Sequence, residues 1–85
     1  MALNLYIMRY DHLGEGRCDV YDSLLVAAAS ESDARQIHPV SEWSECTKED
    51  LRQWAPTPAD VSVYCIGTAT AGVSRGILMS SYHGC

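Results

Sequence analysis

Polar and apolar residues alternate in four stretches of the chain, and this alternation predicts four β-strands. In the stretch at residues 20–29, for example, Val20, Leu24, Val26 and Ala28 share one face. The first two stretches flank a polar loop with two glycines at residues 11–19, so we expect them to pair as an antiparallel hairpin. The four stretches are residues 3–10, 20–29, 61–69 and 76–83.

Two segments between the second and third strands carry the signals that begin helices. The Ser30 side chain can accept a hydrogen bond from the first helical turn, and Asp33 can reach back in a variant of the capping box. Pro39 disfavours helical geometry at the residue before it, so this helix should end at or before His38. Thr47, followed three residues later by an aspartate, predicts a second and shorter helix.

The predicted order of elements is β-β-α-short α-β-β within a single domain over residues 1–85. This order of elements favours an α+β fold, in which an antiparallel sheet of about four strands has one main helix packed on one face. The alternation does not determine the order of the strands in the sheet.

The charge balance excludes one large class of partner. Six Lys and Arg residues against eleven Asp and Glu residues give a net charge of -5. Extended nucleic acid requires the opposite balance, whereas one or two arginines can still hold a small anionic ligand. We found no leader peptide and no apolar run of about 20 residues, which predicts a cytoplasmic protein without a membrane span.

No catalytic or metal-binding motif is present in the sequence. It contains no phosphate loop, no dinucleotide-binding glycine pattern, no HExxH and no GxSxG. The four cysteines lack metal-ligand spacing, so we expect free thiols, with Cys65 in the core of a strand. We therefore predict a protein that is not an enzyme and has neither a catalytic residue, nor a metal, nor a cofactor.

Seven residues are candidates for ligand contacts. Near the end of the first helix the chain offers a cation, a titratable donor and a stacking plane, and its last strand ends in several hydrogen-bond donors. These residues also have purely structural interpretations. The histidine would favour the negative end of the helix, and the tryptophan would fold over the core. The second arginine, Arg75, would lie in a solvated loop, and the polar residues of the last strand would prevent pairing at an edge of the sheet. The candidates are Arg35, His38, Trp43, Arg75, Ser81, Tyr82 and His83.

Several short motifs give the chain a resemblance to small proteins encoded by tailed phages and prophages. The similarity spans roughly residues 21 to 84. The motifs are Tyr21-Asp22-Ser23, Ala34-Arg35-Gln36-Ile37-His38-Pro39, Trp43, Ile66-Gly67-Thr68-Ala69 and Ser81-Tyr82-His83-Gly84.

This resemblance implies a role against host defence. One hypothesis is a homo-oligomeric module in the host cytoplasm that sequesters a small anionic ligand of the nucleotide type. The alternative is an acidic protein inhibitor that acts as a decoy for a host defence or nucleic-acid-binding protein. A small hydrolase of nucleotide signals is disfavoured, because the sequence offers neither a nucleophile nor a metal set.

Overall fold

The computed structural model describes residues 3–10 and 20–84 and contains four strands and two short helices. Each strand lies within one residue of its predicted bounds, which confirms the four predicted strands. The predicted loop at residues 11–19 lies outside the described residues, as does the C-terminal residue. The elements are β1 (Asn4–Arg9), β2 (Val20–Ala28), α1 (Glu31–Arg35), α2 (Lys48–Arg52), β3 (Ser62–Thr68) and β4 (Gly76–His83).

The strands form one antiparallel sheet in the order β3-β1-β2-β4. The predicted hairpin of β1 and β2 is confirmed and forms the centre of the sheet, with Tyr6 opposite Val26 and Met8 opposite Leu24. β3 pairs with β1, and β4 pairs with β2. β3 and β4 are therefore the two edge strands, and residues 69–75 connect one edge of the sheet to the other.

The helical part of the fold differs from the prediction of one main helix. α1 and α2 have five residues each, joined through a single 3₁₀ turn at Trp43–Glu45. Both begin as predicted: Ser30 accepts from the Asp33 amide, and Thr47 forms a complete capping box. Helices this short are not stable alone, so packing against the sheet must hold them.

The core lies between one face of the sheet and the helical segments. Its largest fully buried side chain is Trp54, which is 1% exposed. Cys65, expected in the core, is instead exposed, because the helical layer covers the start of β3 but not its later residues. Among the residues described, no helix has the length and apolar character needed to cross a membrane. The main core residues are Tyr6, Met8, Leu24, Val26, Ala28, Ala34, Ile37, Trp54 and Val61.

Candidate functional site

A cleft of about 580 Å³ lies between the segment that follows α1 and the start of β4. One wall is built from residues 36–44, and the other contains Arg75 and Gly76. Three of the seven predicted ligand contacts, His38, Trp43 and Arg75, line this cleft.

The first wall forms because the chain stops being helical and then turns back on itself. α1 ends at Arg35, four residues before Pro39, in agreement with the predicted stop. The Trp43 indole Nε1 donates a 3.0 Å hydrogen bond to the Arg35 carbonyl oxygen. The His38 and Trp43 rings meet edge to face, with centroids 4.8 Å apart and planes at 85°. These contacts fix the orientation of the Trp43 ring before any ligand binds.

His38 is 7% exposed and forms part of this wall. Its Nδ1 accepts a 3.0 Å hydrogen bond from the Val40 amide, so in the neutral ring the proton is on Nε2. That buried Nε2 has no hydrogen-bond partner among the described residues. Burial lowers the pKa of His38, and the charge of Asp50 opposes this shift only in part. α1 ends at Arg35, so His38 lies beyond the last helical turn in which that interpretation placed it.

Arg75 is held at the opposite wall by Asp33. Its Nε lies 2.9 Å from both carboxylate oxygens of Asp33, and its Nη2 lies 3.4 Å from the Asp33 carbonyl oxygen. The hydrogen bond from Arg75 lowers the pKa of Asp33, and the bond from the Ala29 amide lowers it further. The Arg75 side chain is still 48% exposed. The guanidinium is therefore positioned in advance, with its charge partly compensated.

The Arg35 side chain does not line the cleft, so its guanidinium does not join His38 and Trp43 as predicted, although the Arg35 carbonyl oxygen accepts the Trp43 hydrogen bond. Its guanidinium donates to the carbonyl oxygens of Val61 and Pro58 and pairs with Glu31 at 3.2 Å. These bonds join α1 to the chain that leads into β3. The structure thus gives Arg35 a role in holding the layers together.

The remaining three candidates lie at the far end of β4. The Tyr82 ring packs against Tyr21, with centroids 4.9 Å apart, and the Ser81 hydroxyl donates to Asp22 over 3.4 Å. His83 pairs with Val20 in the sheet register. A strand rises about 3.3 Å per residue, so the start and end of β4 are roughly 20 Å apart. The seven candidates therefore do not form one site.

Sequence reasoning missed the other polar groups of the cleft. Ser41, Glu42 and Ser44 line it with two hydroxyls and a carboxylate. Asp33, assigned only to capping, also positions Arg75. No local pattern could link Asp33 to Arg75, because the two residues are 42 positions apart.

The described residues contain no group of three His, Cys, Asp or Glu side chains that could hold a metal ion. Comparison with known proteins gave no match to a family model, to a curated protein or to a solved structure.

Proposed function

We propose that the protein is a non-enzymatic binding protein and that its cleft takes a small ligand of the nucleoside monophosphate type. The observation that carries this proposal is that His38, Trp43 and Arg75 line one cleft. An aromatic wall and a guanidinium are the groups that recognise a base and a phosphate.

The size and lining of the cleft support such a ligand. Its volume of about 580 Å³ is typical of sites for small molecules. We propose that the base lies against Trp43, whose orientation is already fixed, so little ordering entropy is lost on binding. The hydroxyls of Ser41 and Ser44 would hydrogen-bond the sugar or base edge, and Arg75 would bind the phosphate.

The charges around Arg75 limit the charge of the ligand. Asp33 pairs directly with the guanidinium, and Glu42 lines the same cleft. Each carboxylate repels a further negative group at this range. The proposed ligand therefore carries one or two negative charges, and a triphosphate should bind more weakly.

The biological setting follows from the resemblance to phage proteins. We propose that binding withdraws a nucleotide-type signal from a host defence pathway. No chemistry on the ligand is needed for this role, because a stoichiometric complex is sufficient.

Thermal unfolding of the purified protein in the presence of nucleotides tests the proposal. We expect at least one of the four ribonucleoside 5′-monophosphates to raise the Tm, since a ligand at about 100 times its Kd adds about 2.7 kcal/mol to the free energy of unfolding. The matching triphosphate should give a smaller rise. Arg75→Ala and Trp43→Phe should each weaken the effect.

Arg52→Ala is the matched control, because Arg52 is an exposed arginine on α2 that does not line the cleft. This variant should keep the full nucleotide response. A protein whose Tm no monophosphate raises, or whose response survives Arg75→Ala, would contradict the proposal.

The acidic decoy is retained as a second candidate function because of one surface. Glu42, Glu45 and Glu49 are all exposed along the 3₁₀ turn and α2. A basic protein partner could bind these carboxylates through charge attraction. Binding of that kind weakens steeply with salt and is insensitive to nucleotides, which separates it from the cleft proposal.

A further inference from the structure

The face of the sheet opposite the helices carries two rows of residues that run across all four strands. We name them the bulky row and the glycine row, and in each row the members are Cα partners in the sheet register. The bulky row is Tyr64, Ile7, Leu25 and Met79, and the glycine row is Gly67, Leu5, Ala27 and Gly76.

Much apolar surface is exposed on the strands that carry these rows. Two of the large hydrophobic side chains that are exposed in the described part of the chain, Tyr64 and Met79, belong to the bulky row, whereas Ile77 is the partner of the core residue Val26 and therefore lies on the other face. In the bulky row, Tyr64 is 54% exposed and Met79 is 68% exposed. Contiguous apolar surface of this kind marks an interaction site.

We infer that this face packs against the same face of a second copy of the chain. A two-fold axis that lies in the interface, parallel to the rows and midway between them, would place each bulky row over the partner's glycine row. Large side chains would then pack over Gly67 and Gly76, where a Cβ atom would meet nothing within 4 Å, and over Ala27, which is itself buried. The contact is isologous and closed, and the product is two sheets packed face to face with the helices outside.

The distribution of charge favours a second copy over a charged partner. Among the residues of the four strands, all of them in the described part, only Arg9 and Asp22 carry a formal charge. The two rows carry none, and Arg9 shares their face two residues beyond Ile7, in a row with Ser23 and Ser62. The exposed carboxylates Glu42, Glu45 and Glu49 lie on the turn and helix away from this face. With sheets stacked about 10 Å apart and helices outside, these acidic groups are separated by more than the screening length of about 8 Å.

The size of the face is sufficient for a stable dimer. The strands have six to nine residues, and at about 3.3 Å per residue and about 4.8 Å between strands they span roughly 20 Å by 20–30 Å. The accessible area of such a face exceeds its plan area of about 400–600 Å², because side chains stand out from it. That is close to the roughly 800 Å² that each partner buries in a standard interface.

This inference goes beyond the proposed function and does not depend on it. Gly76 is the one residue shared by the two rows and the cleft. The cleft residues His38 and Trp43 come from the helical side, so a dimer would leave two clefts accessible. Failure of one proposal would therefore not imply failure of the other.

Sedimentation equilibrium of the full chain between about 1 and about 300 µM tests the inference. We expect a monomer–dimer equilibrium. Met79→Glu should raise the dimer Kd about 100-fold, since each dimer would bury two unpaired carboxylates. Val40→Glu is the matched control, because Val40 is 42% exposed and lies outside the strands. It adds the same charge and should leave the Kd unchanged.

Met79 is mostly exposed, so Met79→Glu should fold normally, and circular dichroism of the dilute protein will verify this. A wild-type chain that stays monomeric over the whole range overturns the inference, whether the face then binds a membrane, another protein or nothing. A dimer that Met79→Glu leaves intact also overturns it, since the copies would then associate through a strand edge.

Discussion

Leu24 and Leu25 are neighbours on β2, yet they lie in different environments. Leu24 points into the core and is 1% exposed, whereas Leu25 lies on the opposite face and is partly exposed. The helical layer covers the first face, and its connecting segment forms one wall of the cleft. On the second face Tyr64 and Met79 are exposed, while Ala27 is buried. The comparison suggests that one face of the sheet stabilises the monomer while the other is available for association.

The largest expected effect comes from truncating these two leucines. Leu24→Ala should lower the free energy of unfolding by about 2–5 kcal/mol at any protein concentration, because it leaves a cavity in the core. In dilute protein, Leu25→Ala should lower the free energy of unfolding by less than Leu24→Ala does. Its main effect should be to weaken self-association. Chemical denaturation at low and high protein concentration measures both effects. Equal losses for the two variants in dilute protein would contradict the distinction between the faces.

A smaller effect concerns the buried histidine on the covered side. The pKa of His38 is lowered by burial, so the unfolded chain takes up a proton first as the pH falls. The free energy of unfolding should therefore fall as the pH drops below about 6.5, the ordinary histidine value, and level off below the folded pKa. Denaturation curves between pH 7 and pH 5 will measure this slope.

His38→Gln should flatten that slope, because it removes the titrating ring. A slope that persists unchanged in His38→Gln would show that the buried ring is not its source.

The smallest expected effect is that of the ion pair at the cleft. Arg75→Ala should change the free energy of unfolding by less than about 1 kcal/mol, since the Arg75–Asp33 pair is partly exposed and screened by solvent. The same variant should nevertheless weaken nucleotide binding strongly. Thermal unfolding with and without ligand measures both effects. A large loss of stability in the absence of ligand would show that Arg75 mainly stabilises the fold.

The strands could be predicted from the sequence because alternation is a local property of each stretch. The exposure of Cys65 could not, because alternation states which residues share a face but not how far a covering layer extends. The helix starts at Ser30 and Thr47 were equally local and are confirmed. The prediction that one of the two helices is the main one is not confirmed, because packing rather than propensity determines how long such short helices extend.

The candidate site was predicted only in part for the same reason. His38 and Trp43 are five residues apart, and a proline between them turns the chain, so their proximity could be expected. Arg75 lies in the same cleft because its side chain is held by Asp33. That contact depends on the position of β4 at the edge of the sheet. Arg35 was misplaced because its side chain points toward the chain before β3, which only the packed structure reveals.

An NMR titration with adenosine 5′-monophosphate and the other three ribonucleoside monophosphates tests the central claim most directly. The chain has two tryptophans, Trp43 at the cleft and Trp54 in the core, so it gives two indole N–H signals, and Trp43→Phe assigns them. The account predicts that one of the four nucleotides shifts the Trp43 signal in a saturable manner and leaves the Trp54 signal in place. If none of them shifts the Trp43 signal, the cleft is not a nucleotide site.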